Sequence, residues 1–424
     1  MSQSRISIIG TGYVGAVTGI CFAELGYSVI FIDIDQSVLD KIKSGKSPIY
    51  EPGLEELLQK NLDHITVSRD YSSSIANTDL TFICVGTPSR EDGMMDLKFI
   101  KSASRAIGFA LKEKDDYHSV IVKSTVLPGT TEQIICPSIE KTSGKSPGIG
   151  FGIGMNPEFL REGEAVNDFF SPDRIILGIN DQTTEEILLK IYFPIHSRKV
   201  TTSIKVAEMI KYASNAFLAT KISFANEIGN LCKKLEIDSN DVFQAVGLDK
   251  RINPHFFRTG IGFGGSCFPK DLRALESFAK FNGIEPQILN AVIKTNKNQP
   301  EKMIELLKRH TKIRGSRIGI LGLAFKPETD DVRESRAIPI IVTLIEKGAK
   351  IIAHDPMAMN NFRKIFPLIQ YVKSAEDVLK ADAILIVTEW KEFENLNYQN
   401  KIVIDGRGNI KARKEARIYE GVCW

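Results

Sequence analysis

An apolar strand, Ile6 to Ile9, runs straight into Gly10-Thr11-Gly12-Tyr13-Val14-Gly15 and from there into a helix. Few local patterns narrow a fold so far. Gly10 permits a tight turn, Gly12 lets the backbone approach a pyrophosphate, and Gly15 lets helix and strand pack closely, with the helix N-terminus facing the negative charge. A second apolar strand, Val29 to Ile32, ends at Asp33, where a carboxylate can accept both ribose hydroxyls. A carboxylate there would repel a 2'-phosphate, so the expected cofactor is NAD rather than NADP. A tight turn between strand and helix without any ligand would produce the glycines alone, but not the whole set in register.

Further strands are read at Leu80 to Val85, Val120 to Val122 and Ile175 to Leu177, alternating with helical stretches. That is the pattern of a doubly wound parallel sheet. From Ser203 to Leu235 the chain has no Pro and only Gly229, with apolar residues at helical spacing on more than one face (Ile204, Ala207, Ile210, Phe217, Ile222, Ala225, Ile228, Leu231). This predicts a long central helix buried on several sides. After a basic turn at Lys312 to Ser316 a second alternation runs through Arg317 to Gly322, Lys350 to Asp355, Ala383 to Val387 and Ile402 to Asp405. The expected fold class is therefore α/β, two Rossmann-like doubly wound domains joined by a long central helix. The expected boundaries are 1–202 for an NAD-binding domain, 203–300 for a central helical region and 312–424 for a second α/β domain.

Length and composition are those of an ordinary globular protein: 424 residues, 43% apolar, 25% charged. The net charge of +3 is dispersed rather than clustered, so neither a nucleic-acid nor a membrane-surface footprint is expected. Met1 to Arg5 leads directly into a strand without a signal peptide, and no apolar run reaches the roughly 18 residues a bilayer span requires, which predicts a cytoplasmic protein. The six cysteines show no metal-type spacing, and Cys21, Cys84 and Cys232 sit in apolar stretches as core residues. No metal site is expected.

Cys267 is different. It lies in Gly-Ile-Gly-Phe-Gly-Gly-Ser-Cys-Phe-Pro-Lys-Asp (260–271), where Gly264 and Gly265 allow the backbone close to a ligand and Pro269-Lys270-Asp271 reads as a helix start. A helix N-terminus or nearby cation favours a thiolate, although a small cysteine in a glycine-rich turn is the plainer explanation. A thiol beside a nicotinamide can capture an aldehyde and carry it on to a thioester, so oxidation of an alcohol through to an acid is the chemistry in view. Lys211 and Asn215 stand at i and i+4 on one face of the long helix, flanked by apolar residues. They either find partners there, or the lysine reaches solvent. Asn156-Pro157-Glu158 reads as a helix cap, first helical position and first-turn acid, with Glu162 one turn on. Val85-Gly86-Thr87-Pro88 and Lys123-Ser124-Thr125-Val126 are strand ends at the carboxyl edge of the sheet, where plain turn chemistry is also sufficient.

In order along the chain stand GTGYVG, Ser-Pro-Ile-Tyr-Glu-Pro-Gly (47–53), Lys-Ser-Thr-Val-Leu-Pro-Gly-Thr, Asn-Pro-Glu-Phe-Leu-Arg-Glu-Gly, Glu-Met-Ile-Lys-Tyr-Ala-Ser-Asn-Ala-Phe, the Cys267 segment and Leu-Ala-Phe-Lys-Pro-Glu-Thr-Asp-Asp-Val-Arg-Glu-Ser. This set, covering nearly the whole chain, resembles the UDP-glucose/GDP-mannose dehydrogenase family, and the Cys267 segment with Arg251 is most similar to its UDP-glucose branch. The resemblance implies a two-step, NAD-dependent oxidation of the sugar's carbon 6 hydroxymethyl to a carboxylate. It implies Cys267 as nucleophile, holding a thiohemiacetal and then a thioester. Asp271 would take the first alcohol proton through a water beside Thr125, Lys211 and Asn215 would bind the developing oxyanion, and Glu158 would support thioester hydrolysis.

For NAD the resemblance implies Gly10, Gly12, Tyr13, Val14, Gly15, Asp33, Thr87, Thr125, Glu162, Lys270 and Arg333. For UDP-glucose it implies Glu158, Phe159, Leu160, Lys211, Asn215, Arg251, Phe263, Gly264, Phe325, Lys326 and Arg407, in a homodimer across which Arg251 reaches. One departure stands out. Where many members place a basic residue shortly after the acid, this chain has Val38, which is expected to weaken NAD binding without changing the cofactor. Two rivals remain: the same chemistry on GDP-mannose, and a non-catalytic nucleotide-sugar-binding regulator, which would be expected to lack Cys267, Lys211 or Asp271. A two-electron hydroxyacid dehydrogenase would have no use for Cys267.

Overall fold

The computed structural model describes residues 4–90 and 92–424; the lead-in expected at Met1 to Gln3 lies outside them. Two compact units divide the chain between Ala213 and Ser214, and each carries its own sheet.

In the first unit the strands are β1 (Arg5–Ile9), β2 (Ser28–Ile32), β3 (Ile65–Ser68), β4 (Leu80–Ile83), β5 (Ser119–Val122), β6 (Gly152–Met155), β7 (Arg174–Ile179) and β8 (Arg198–Thr202), in the spatial order β3-β2-β1-β4-β5-β6-β7-β8. β4 and β5 are buried along their whole length, which is why they read as continuous apolar runs rather than alternations. β1 pairs with β2 on one side and β4 on the other, Ile6 opposite both Val29 and Leu80, so the strand order reverses at β1. The crevice outside the carboxyl ends of β1 and β4 is where such sheets bind nucleotides. Phe22, on the helix Tyr13–Glu24, stacks on Phe82 of β4 at 5.5 Å between ring centroids, fixing the first helix against the sheet. The sheet is not wholly parallel: β7 runs antiparallel to β6. A β-branched run announces a strand and says nothing about its direction.

The helix Ile204–Lys234 has 31 residues and, at 1.5 Å per residue, is about 46 Å long. It is not buried on every side. Ala207, Tyr212, Ala219 and Ala225 are fully buried, whereas Phe217, Phe224 and Leu231, at intervals of seven residues, are 66%, 52% and 53% exposed. Among the described residues no helix is long and apolar enough to cross a membrane.

The second unit closes on a six-stranded parallel sheet of β9 (Arg317–Leu321), β10 (Lys350–His354), β11 (Gln370–Tyr371), β12 (Ala383–Ile386), β13 (Ile402–Asp405) and β14 (Ile418–Gly421), ordered β11-β10-β9-β12-β13-β14. It repeats the first six positions of the other sheet, and the repetition extends to hydrogen bonds. Gly10 N donates to Ile32 O at 2.9 Å and Thr11 N to Asp33 Oδ2 at 2.7 Å; Gly322 N donates to His354 O at 2.9 Å and Leu323 N to Asp355 Oδ2 at 2.7 Å. Both glycines need a positive φ, +89° and +97°.

Candidate active site

The glycine turn has the form a pyrophosphate requires. A Cβ on Gly15 would stand 1.9 Å from Gly10 O, so only glycine lets the helix start so close to β1, whereas a Cβ on Gly12 would meet nothing within 4 Å. The helix opens with no side-chain cap and no acid in its first turn, leaving its N-terminal dipole for an anionic ligand. Asp33, half-buried at the end of β2, accepts bonds from Thr11 N and Thr11 Oγ1 and from Asp35 N at 3.0 Å. These residues fit a dinucleotide. Val14 packs against the core of the first unit, as does Val38, on the helix Gln36–Lys43.

Tyr13 is held by Glu51, a residue the sequence marked only as part of a resembling segment. The buried Glu51 carboxylate accepts from Tyr13 OH; it also accepts from the backbone N–H groups of Gly163 and Ala165, both of these at 2.7 Å. Burial raises the Tyr13 hydroxyl far above its ordinary range, and Glu51 and Glu162 push the same way, so it is a permanent donor. Beyond β4 and β5 the strand ends meet: Thr87 Oγ1 donates to Thr125 O at 3.0 Å and Ser124 Oγ to Val85 O at 2.7 Å.

After β6 the structure corrects one expectation. Asn156 caps no helix; the next one is Ala165–Phe170. Asn156 is buried, its Nδ2 donating to Ile176 O at 2.9 Å and its Oδ1 accepting from Lys123 Nζ at 2.9 Å and Tyr192 OH at 2.6 Å. Long-range partners outweigh the local capping pattern. Glu158 Oε1 pairs with Lys211 Nζ at 2.9 Å, and Glu158 Oε2 accepts from Leu160 N at 2.7 Å. Burial alone would raise the Glu158 carboxyl, but the Lys211 ammonium, with Leu160 N and Lys123, holds it below its ordinary value. Lys211 thus has a buried partner rather than solvent, and it also stands 5.3 Å from the Phe159 ring, against which Arg174 packs at 4.3 Å. Lys123 is a buried lysine to which sequence reasoning gave only a place at a strand end. Burial pulls its ammonium down to about 8, against the opposing influence of Cys84 and Glu158.

In the second unit the helix Phe268–Phe281 starts where expected, with Cys267 at its N-cap and Asp271 in the first turn. Cys267 is exposed, whereas Cys21, Cys84 and Cys232 are buried as core. Asp271 is 2% exposed and receives two donors, Asn215 Nδ2 and Lys270 Nζ, both at 2.6 Å. The glycine loop before Cys267 is pressed onto the carboxyl edge of the second sheet. Gly265 N donates to Arg333 O at 3.0 Å, a Cβ on Gly264 would lie 2.2 Å from Glu334 O, and one on Gly265 would strike the Phe325 ring at 2.8 Å. Asn296 clamps Phe263 from both sides, accepting from its N–H at 2.8 Å and donating to its carbonyl at 3.0 Å.

Lys326 Nζ lies 5.8 Å from the Phe325 ring centroid. Arg407, following β13, donates from Nε to Val387 O at 2.8 Å and lies 3.3 Å from Glu389 Oε2, a carboxylate that also pairs with Arg258 at 3.0 Å. Arg333 forms a forked pair with Asp331. Arg251 is 88% exposed and bound to Asp249 at 2.6 Å.

Three models of the UDP-glucose/GDP-mannose dehydrogenase family match the chain: its NAD binding domain over residues 4–196, its central domain over 205–298 and its UDP binding domain over 319–412. The UDP-glucose 6-dehydrogenase AglM of Haloferax volcanii is 47% identical over 430 residues, covering 99% of this chain and all of that protein. The GDP-mannose 6-dehydrogenase of Pseudomonas aeruginosa is 38% identical over 439 residues, again covering 99% of this chain and all of the relative. A UDP-glucose dehydrogenase structure from Pyrobaculum islandicum superposes with a TM-score of 0.97 at 45% identity, covering 100% of this chain and 98% of that one.

Proposed function

This chain belongs to the UDP-glucose/GDP-mannose dehydrogenase family, and on that premise we propose that it oxidises carbon 6 of UDP-glucose from hydroxymethyl to carboxylate, releasing UDP-glucuronate. The observation that carries this reading is the pairing along one helix. Lys211 and Asn215, one turn apart, are each bonded to a carboxylate of the proposed chemistry, Lys211 to Glu158 and Asn215 to Asp271. A bland structural role would need no such matched pair.

Gly10, Gly12, Tyr13, Val14, Gly15, Asp33, Thr87, Thr125, Glu162, Lys270 and Arg333 hold NAD in this reading. NAD supplies the acceptor for the two hydrides a four-electron oxidation releases, one molecule for each. Asp271, kept in place by Asn215 and Lys270, takes the first alcohol proton through a water beside Thr125. Cys267 Sγ then forms a bond to the aldehyde carbon, and the carbonyl oxygen gains a proton. Loss of the remaining hydride and that hydroxyl proton leaves a thioester. Lys211 and Asn215 donate to the oxygen that becomes negative, the place where preorganised donors count most. Water adds to the thioester, Glu158 takes its proton, the carbon–sulfur bond breaks, and the Cys267 thiol is regenerated. Phe159, Leu160, Phe263, Gly264, Phe325, Lys326, Arg407 and Arg251 hold the nucleotide sugar.

The same reading makes the protein a cytoplasmic homodimer whose Arg251 reaches the partner's substrate. Its support is the exposure of Arg251 and the apolar stripe of Phe217, Phe224 and Leu231, a surface of the kind that marks an interaction site. The deciding experiment counts NADH formed per UDP-glucose consumed, with GDP-mannose in parallel. Two per UDP-glucose is the expected result. One, or none, overturns the reaction; oxidation of GDP-mannose alone overturns the sugar.

A further inference from the structure

Lys123 follows β5 and is 5% exposed, yet both of its hydrogen-bond partners are neutral oxygens: Asn156 Oδ1 at 2.9 Å and Tyr192 OH at 3.5 Å. A buried ammonium is costly where a methionine of similar length would pack without penalty. The groups that face it are Cys84 from the end of β4, Asn156 and Glu158 from the segment after β6, Tyr192 beyond the helix Gln182–Ile191, Lys211 from the long helix, and the Phe82 ring at 5.8 Å. Of these, Glu158 is the carboxylate. Asn156 is fixed at three polar atoms: its N–H donates to Val122 O at 2.8 Å, its Nδ2 to Ile176 O, and its Oδ1 accepts from Lys123 and Tyr192. The turn from Asn156 to Leu160 that presents Glu158 hangs from that anchor.

We propose that Lys123 is a positioning residue for Glu158: it anchors Asn156 at the root of the turn and places a second buried positive charge, after Lys211, beside the carboxylate. The proposal rests on the reading of Glu158 as the group that takes the proton of the hydrolytic water. A carboxylate that loses a neighbouring cation binds its proton more tightly, so the acid limb of thioester hydrolysis should move to higher pH when the charge is removed. The first hydride step, which does not use Glu158, should keep its own pH dependence.

The test uses the full chain with UDP-glucose and NAD, reading kcat and KM across pH together with the intact mass of quenched protein. Lys123→Met should accumulate a sugar adduct at acid pH where the natural protein does not, with kcat there lowered by about tenfold and KM for UDP-glucose changed by less than about twofold. Tyr192→Phe removes a bond to Asn156 and leaves the charge, and its acid limb should stay in place. Lys123→Gln keeps a donor to Asn156 without the charge and should repeat the upward movement, which covers the case of a methionine variant that fails to fold. An unmoved limb in a folded Lys123→Gln or Lys123→Met protein overturns the proposal. So does an equal movement in Tyr192→Phe, which would make the effect one of packing. Failure of the natural protein to make UDP-glucuronate would instead strike the functional reading itself.

Discussion

Lys211 and Glu158 form an ion pair at 2.9 Å in which the side chains are only 4% and 7% exposed. Removing one partner of such a pair strands the other charge, which typically costs about 3 to 5 kcal/mol. Glu158→Ala should therefore lower the stability of the first unit by roughly that amount, measured by calorimetry at neutral pH. The carboxyl is depressed in the fold, so the pair's contribution is present above the ordinary carboxylate range and is lost as pH falls through the depressed value. The gap between natural and Glu158→Ala proteins should narrow in acid. A constant gap would show that the pair is not what is lost.

In the proposed reading, cofactor choice is carried by Asp33. Asp33→Ser should weaken NAD use and relieve the repulsion toward NADP. Because Asp33 also receives Thr11 N and Thr11 Oγ1, the variant should lose about 1 to 3 kcal/mol of stability as well. Titrating both cofactors against both proteins checks this; a natural protein that uses NADP as well as NAD contradicts it.

Arg407 is held by Val387 O and Glu389. With Arg407 and Lys326 holding the nucleotide sugar as proposed, losing either charge-assisted contact should cost on the order of 1.5 to 3 kcal/mol in UDP-sugar binding. NAD affinity, measured by calorimetric titration, should barely change. Equal losses for both ligands would mean misfolding.

With Cys267→Ser an alkoxide can form the hemiacetal and then an ester, which hydrolyses far more slowly than the thioester. The variant should retain an added sugar mass on intact protein after incubation with UDP-glucose and NAD. Cys267→Ala should form aldehyde slowly at best. Near-normal production of two NADH per sugar by both variants would leave Cys267 a structural residue.

His118 is fully buried between Thr81 Oγ1 at 2.7 Å and Thr78 O at 3.0 Å, and burial pulls its imidazole down to about 3. Unfolded, it takes a proton near pH 6.5; folded, it does not. Stability is therefore lost as pH falls below that point, by about 1.4 kcal/mol per unit while the native ring stays neutral. His118→Gln should show a shallower acid dependence in urea melts recorded from neutral pH downward, although it starts from a lower stability.

What was legible in the sequence was what is local. Gly10, Gly12, Gly15 and Asp33 lie within one strand–helix–strand unit, and the start of the Phe268–Phe281 helix is written in Pro269 and Asp271. The direction of β7 was not legible, because pairing across a sheet leaves no mark on a single strand. Asn156 misled for the opposite reason: its neighbours Pro157 and Glu158 form a capping pattern, but its partners are 33 and 36 residues distant in Lys123 and Tyr192. Glu51 and Lys123 stood only as members of longer segments with no role of their own, since each acquires its partners from residues far away in the chain. Phe217 and Leu231 looked like core because apolar periodicity identifies a face without saying what covers it.

The two units carry the same strand–glycine turn–helix–strand pattern, with different surroundings for its carboxylate. A carboxylate offers about four lone-pair sites. Asp355 already receives five donors, from Leu323, Ala324, Met357 and Ala358 backbone N–H groups and the Trp390 indole, and it is wholly buried. Asp33 keeps an open side. A ribose arriving at the second turn would find its carboxylate saturated by the protein itself, so Asp355 is a keystone where Asp33, in the proposed reading, is a mooring. Anyone seeking to graft a second dinucleotide onto this scaffold must first dismantle that arch of five donors.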